Sequence, residues 1–212
     1  MTSRHWTQSY GSMPHEIDPD RYPSITAMMD DAMERYADKV AFNCFGQTLT
    51  YAQVDQLSGA FCAYLQHTVG IQKGDRVAVM LPNLVAFPLA LLGIIRAGAV
   101  QVNVNPLYTP RELEHQLSDA GCDAIVIFSG STATLAEVID RTPVKTVITV
   151  GLGEGLGLQL PSPAVDTRLT QTVTFTTALA EGAALTRVPV SLAGTDPLFL
   201  QYTGGTTGLS KG

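Results

Sequence analysis

The residues with the clearest chemical potential lie between Pro197 and Gly212, P-L-F-L-Q-Y-T-G-G-T-T-G-L-S-K-G. An apolar, aromatic strand candidate, Leu198 to Tyr202, breaks into a loop of glycines and hydroxyl residues that closes with Lys211. Gly204, Gly205 and Gly208 carry no Cβ, so their backbone amides can approach a ligand closely. Successive exposed N–H groups form a concavity suited to an anion. Thr203, Thr206 and Thr207 add hydroxyl donors, and Lys211 adds a mobile positive charge. Strand, glycine loop and lysine together point to a phosphate cradle, while a frayed tail or an ordinary Gly/Thr turn would share the composition. A P-loop is excluded by spacing. That motif ends in Gly-Lys-Ser/Thr, whereas Lys211 here follows Ser210 and precedes Gly212.

No second constellation competes with this one. His5, His15, His67 and His115 form no metal-ligand pair, and no Ser/His/Asp or Cys/His arrangement is visible. Cys44, Cys62 and Cys122 are widely spaced and read as reduced, mostly buried thiols of a cytoplasmic protein. Apolar residues make up 45% of the 212 and charged residues 15%, which fits a globular chain with a substantial core. The net charge of −6 offers no basic footprint for nucleic acid and no cationic face for anionic lipid.

The N-terminus, M-T-S-R-H-W-T-Q-S-Y, has no apolar core of a signal peptide. The longest apolar run, Leu84 to Ile95, carries Pro88 and ends at Arg96, too short to span a bilayer. Peripheral association with the inner membrane would leave no mark of this kind and stays open, as does a homodimer.

Positioning elements can be read in chain order. Residues 1–23 form an irregular, turn-rich arm. A helix is expected from Ile25 to Ala37, its apolar face set by Ile25, Met28, Met29, Ala32, Met33 and Tyr36. Val40–Cys44 and Gln47–Leu49 flank Phe45-Gly46 as a hairpin. Thr50 caps the next helix with Gln53 as capping-box partner, and that helix buries Leu57, Phe61, Tyr64 and Leu65 before Gly70. His67, in its last turn, reads as a surface residue.

From Arg76 the pattern alternates. Strands are expected at Val77–Leu81, Val100–Val104, Ala124–Phe128 and Val144–Val150. Helices are expected at Leu84–Ala97, from Thr109-Pro110-Arg111-Glu112 to Ala120, and at Thr132–Asp140. Continuous apolar strands alternating with helices imply an α/β fold, a mostly parallel sheet flanked by helices, over residues 24–150. Residues 151–172, rich in Gly and Pro, read as a mobile surface connection. The return segment, 173–212, holds an ordered piece at Val173–Glu181, helical from Thr177, and a turn at Gly194–Pro197 leading to the final strand.

The segment Thr203 to Gly212 resembles the signature loop of the acyl-adenylate-forming enzymes, the acyl-CoA synthetase and luciferase superfamily. Their pattern, Thr-(Ser/Gly)-Gly-(Ser/Thr)-Thr-Gly-x-x-Lys-Gly, is matched at every position. Y-P-S near Tyr22, Leu49–Tyr51, Gly74–Asn83, Gly93–Gly98 and Val102–Leu113 are similar to the same family. V-N-V-N-P-L-Y-T-P-R-E-L, E-H-Q-L-S-D-A-G and Q-Y-T-G-G-T-T-G look closest to the bacterial long-chain fatty-acid–CoA ligases. The likeness spans residues 20 to 212 and is loosest between Gly151 and Thr172. Asn103, Asn105, Pro106 and Tyr108 make a polar turn between strand and helix and are read as fold, not site.

The resemblance implies the N-terminal part of a ligase large domain. It also implies a two-step reaction: a fatty carboxylate attacks ATP to give acyl-AMP and pyrophosphate, and CoA thiolate then displaces AMP. The implied ATP- and phosphate-binding set is Tyr202, Thr203, Gly204, Gly205, Thr206, Thr207, Gly208, Lys211 and Gly212. In that family the adenine pocket, the Mg2+ carboxylate, most of the acyl tunnel and the catalytic lysine follow this loop. The expectation is therefore a mobile loop, no catalytic or metal-binding residue within the chain, and no adenylation by it alone. A stand-alone α/β interaction module without catalysis is the competing reading.

Overall fold

The apolar runs after Arg76 satisfy their backbone hydrogen bonds by pairing with one another. The computed structural model describes residues 4–203 and 212. Six strands form one sheet: β3 (Arg76–Met80), β4 (Val100–Asn103), β5 (Cys122–Phe128), β6 (Thr146–Val150), β7 (Thr172–Thr174) and β8 (Phe199–Gln201). Their order is β7-β6-β5-β3-β4-β8, and every neighbouring pair is parallel. A separate hairpin, β1 (Val40–Cys44) and β2 (Gln47–Thr50), turns at Phe45-Gly46 as the sequence predicts.

Six α-helices surround these strands among the described residues: α1 (Ile25–Arg35), α2 (Tyr51–Tyr64), α3 (Ala86–Arg96), α4 (Pro110–Ala120), α5 (Thr132–Ala136) and α6 (Phe175–Ala183). Alternating side chains of the sheet feed two cores. Val77, Val79, Ala124, Val126 and Ile148 pack with Phe61, Leu65, Leu89, Ile94 and Phe175 from α2, the turn after it, α3 and α6. Ala78, Met80, Val102, Ile125 and Ile127 pack on the opposite face with Leu113 and Leu117 of α4 and Leu135 of α5. The result is a parallel sheet covered on both faces.

Local signals set the helix ends. Thr50 and Gln53 form the expected capping box on α2, and Thr109 with Glu112 forms the one on α4. Gly121 closes α4 with left-handed backbone, φ 63°. The C-terminal turn of α2 widens into a π-turn over Leu65–Val69, and His67 there is exposed as expected.

Three segments differ from the sequence expectation. The helix expected from Thr132 to Asp140 stops at Ala136, and a 3-10 turn follows at Ile139–Arg141. Val138 sits between them at φ −128°, off helical geometry, with its side chain buried in the α4–α5 core. Burial of a β-branched side chain outweighs continuation of a short helix here. At the far edge, Thr172–Thr174 joins the sheet as β7, so α6 starts at Phe175, with Thr174 as its N-cap, rather than at Thr177. On the hairpin side, Met28 and Tyr36 of the expected apolar face are 42% and 39% exposed, so Met29 and Met33 carry the burial of α1.

Residues 151–171 carry no helix or strand, and they are tied down at several points. Leu152 and Leu156 pack against the first core and Leu169 is buried in the second. Ser162 Oγ accepts from Leu152 N at 2.6 Å, Glu154 Oε2 from Thr176 N at 2.9 Å, and Thr132 Oγ1 from Asp166 N at 3.0 Å.

The path from β7 to β8 crosses the whole sheet from one edge to the other. Side chains from the π-turn and from the loop before β3 guide it. Gln66 Nε2 donates to Val188 O at 2.8 Å and its Oε1 accepts from Val188 N at 2.9 Å, while Lys73 Nζ pairs with Asp196 Oδ2 at 2.8 Å.

Candidate phosphate-binding site

Strand β8 lies against β4 with Gln101 opposite Phe199, Val102 opposite Leu200 and Asn103 opposite Gln201. Because the pair is parallel, the carboxyl end of β8, at Tyr202 and Thr203, emerges beside the carboxyl end of β4. The winding reverses between β3 and β5, whose onward connections run in opposite directions along the sheet, so β8 lies two strands from that switch point. The sequence-predicted cradle begins instead at the carboxyl end of the edge strand β8.

Side chains at the β4–β8 seam hold that end of the sheet together. Gln101 Nε2 donates to Asn103 Oδ1 at 2.6 Å, and Asn103 Nδ2 donates to Gln201 Oε1 at 2.7 Å. From α4, Gln116 Nε2 donates to the backbone oxygen of Asn103 at 2.7 Å. Asn103 is therefore a junction between β4, β8 and α4, in keeping with its structural reading. Asn105 Oδ1 accepts from Leu107 N at 3.0 Å, which folds the polar turn ahead of α4. Gln101 and Gln116 are fully buried, and their Oε1 atoms have no hydrogen-bond partner among the described residues.

Tyr202 is the last side chain of the strand to enter the core, 7% exposed and packed with the α4 cluster. Its hydroxyl donates to Asp119 Oδ2 at 2.5 Å. Burial, and then the hydrogen bond to Asp119, push the phenol above its usual range, so it stays protonated as a donor. Gly212 packs on the same ring. A Cβ built there would lie 2.5 Å from Cε2, 2.8 Å from Cζ and 3.0 Å from Cδ2 of Tyr202. Real Cβ contacts essentially never approach so closely, so a side chain there would require the Tyr202 ring or residue 212 to shift.

Of the predicted site residues, Tyr202 and Gly212 are brought into contact and Thr203 is exposed beside them. Gly204, Gly205, Thr206, Thr207, Gly208 and Lys211 lie outside the described residues. Asp119 was missed by residue-level reading. It lies within the E-H-Q-L-S-D-A-G stretch and next to the buried stripe Leu113, Gln116, Leu117 and Ala120 of α4, but 83 residues from its partner. Among the described residues no group of three or more His, Cys, Asp or Glu side chains could hold a metal ion, and no helix is long and apolar enough to cross a membrane.

A six-stranded parallel sheet covered by helices on both faces defines an α/β domain. Residues 29–212 match the family model described as AMP-binding enzyme, and the chain belongs to that family. It is 46% identical to a long-chain-fatty-acid–CoA ligase of Yersinia pestis, over 98% of this chain and 39% of the relative. A long-chain-fatty-acid–CoA ligase of Bacillus subtilis is 33% identical over 100% of this chain and 40% of its own length. The chain thus spans about two fifths of the relatives it matches. Among solved structures, the long-chain-fatty-acid-CoA ligase of Archaeoglobus fulgidus superposes with a TM-score of 0.67 at 23% identity, covering 88% of this chain and 37% of that one. An anthranilate CoA ligase in complex with anthranoyl-AMP superposes with a TM-score of 0.75 at 17% identity, covering 89% and 34%. At these identities the structural likeness speaks for the fold.

Proposed function

We propose that this chain is the N-terminal portion of a long-chain fatty-acid–CoA ligase that activates a fatty carboxylate with ATP and passes the acyl group to CoA. The observation that carries the proposal is the complete Thr203–Gly212 signature placed directly after a parallel strand at the sheet's carboxyl edge. The 46% identity to a named ligase over nearly the whole chain supports the same reading.

In this reading Thr203, Thr206 and Thr207 donate hydroxyl hydrogen bonds to the phosphate oxygens of ATP. The amides around Gly204, Gly205 and Gly208 form the anion concavity. Lys211 offsets the charge that grows on the leaving pyrophosphate, in a reaction where positioning and electrostatics supply most of the rate. Gly212 closes the segment against Tyr202. Magnesium enters the proposal through the parent enzyme, as the partner of ATP. The remaining ligase parts belong to a longer polypeptide, and the 212-residue chain is expected to perform no adenylation alone. We place the parent in the cytoplasm.

The test is fatty-acid-dependent exchange of pyrophosphate into ATP by the full-length ligase. Lys211→Ala is expected to lower the exchange rate by about 100-fold or more, the scale of losing one preorganised charge partner. Exchange left intact in that variant would overturn the role given to Lys211. A full-length protein that supports no exchange with any long-chain fatty acid would favour the interaction-module reading.

A further inference from the structure

The connection from α6 to β8 is attached to the body differently from every other part of the sheet. No residue from 185 to 197 is buried, and none joins either core. Among the described residues, no backbone group of 186–195 pairs with backbone outside the segment. Pro189 and Pro197 have no N–H to offer. We propose that this segment is a strap that opens as one unit while both cores stay folded, with the side chains of Gln66 and Lys73 as its clasps.

Each clasp grips the strap's backbone. Gln66 Nε2 donates to Val188 O at 2.8 Å and its Oε1 accepts from Val188 N at 2.9 Å, so one side-chain amide stands in for a paired strand residue. Beside it, His67 Nε2 donates to Thr186 O at 2.9 Å. At the other end Lys73 Nζ donates to Ser191 O at 2.9 Å and to Asp196 Oδ2 at 2.8 Å. The same carboxylate oxygen accepts from Ala193 N at 2.8 Å, which fixes the turn leading into β8. Apolar adhesion is slight. Val190 lies over Gly98, where a built Cβ would stand 2.7 Å from its Cγ1. Next to that contact, Val188, Pro189 and Val190 line a cavity of about 100 Å3 whose other walls include Thr26, Asp30 and Arg96. The strap spans a void there instead of packing.

A segment with few buried contacts and exposed hydrogen bonds opens at a far lower free energy than a core. The strap runs into β8, whose ladder on β4 spans three residue pairs, Gln101–Phe199 to Asn103–Gln201. With the strap open, β8 is held only by that ladder and its own side chains. The clasps therefore govern how firmly the sheet keeps its edge strand.

Trypsin reports the opening, because the Arg187–Val188 bond lies under the Gln66 clasp. The experiment follows cleavage after Arg187 by mass spectrometry in the 212-residue chain and its variants. Gln66→Ala and Lys73→Met are each expected to speed that cleavage by about 10-fold, since each removes two hydrogen bonds from one opening equilibrium. Together they should speed it by about 100-fold. Labelling of Cys122 should stay slow throughout, and the amides of Val188 and Ala193 should exchange together, ahead of those in β3 and β5. Either single variant cleaved at the unsubstituted rate would overturn the proposal; for Lys73→Met it would mean that the strap frays piecewise. So would Cys122 labelling that kept pace with cleavage, or Val188 and Ala193 amides that exchanged only with the sheet.

Discussion

Replacing Gly182 by alanine tests how tightly the first core is locked, because local propensity and packing there demand opposite outcomes. Gly182 lies in the last turn of α6, where alanine is the better helix former by about 0.8–1 kcal/mol. A Cβ at that position, however, would lie 2.0 Å from the backbone oxygen of Ala60, 2.7 Å from its carbonyl carbon and 3.1 Å from Tyr64 Cβ. Backbone of α2 cannot rotate away as a side-chain tip could, so α6 and α2 must separate by about 1 Å to restore ordinary contact. That separation loosens the Phe61–Phe175 ring pair, whose centroids are 4.9 Å apart. Overpacking costs typically reach about 1–3 kcal/mol, and a backbone contact belongs at the upper end. Subtracting the propensity gain leaves a net loss of about 2 kcal/mol, or about 4–8 °C in Tm for a domain of this size.

Gly59 is the internal control. It also sits in a helix, α2, but a Cβ there meets nothing within 4 Å. Gly59→Ala should therefore raise stability by about 0.8–1 kcal/mol. Thermal and urea denaturation of the 212-residue chain would read both changes. A Gly182→Ala protein as stable as the unsubstituted one would refute the close approach of α2 and α6. A Gly59→Ala protein destabilised as much as Gly182→Ala would refute the separation of packing from propensity.

Arg96, at the end of α3, has a side chain only 2% exposed and gathers α1 and α2 onto its helix. It donates to Asp30 Oδ1 at 2.9 Å, to Ser58 Oγ at 2.7 Å, to Asp55 O at 3.0 Å and to the Asp55 carboxylate. Removing one partner of a buried pair costs about 3–5 kcal/mol, but Asp30 and Asp55 are half exposed and can rehydrate, so Arg96→Ala should cost about 2 kcal/mol by urea denaturation. A loss below about 0.5 kcal/mol would show that these contacts contribute no more than an exposed ion pair does. Burial pushes the Cys62 thiol up to about 11 and the Cys122 thiol up to about 12, whereas Cys44 is partly exposed. A thiol reagent at pH 8 should therefore modify one cysteine rapidly in the native chain and all three in denaturant. Rapid native labelling of Cys122 would contradict its placement beneath α4.

Features encoded by neighbouring residues were legible from the chain. The capping boxes at Thr50–Gln53 and Thr109–Glu112 involve residues three apart, and both form as read. The strands β3 and β5 announced themselves by short apolar runs, as a parallel sheet buried on both faces favours, while β4 and β6 carry the buried polar residues Gln101 and Thr149 among their valines and isoleucine. Strand β7 gave no comparable signal. Thr172-Val173-Thr174 is too short and polar to stand out, and it is a strand because β6 offers it backbone partners. The end of α5 was misplaced for a related reason. Val138 continues a helical pattern in the chain but is better buried out of it.

The candidate site divides along the same line. The types and order of its groups, threonines, glycines and lysine, are a property of the chain alone, since they follow from what each side chain and amide can donate to a phosphate. Where those groups stand is a property of the folded molecule. The placement of β8 beside β4, the Asn103 junction and the Asp119–Tyr202 bond join residues separated by about a hundred positions or nearly so. Hydrogen bonds of a cap are chosen among adjacent residues, whereas those across the sheet exist only once hydrophobic burial has brought distant segments together and left their polar groups to find one another.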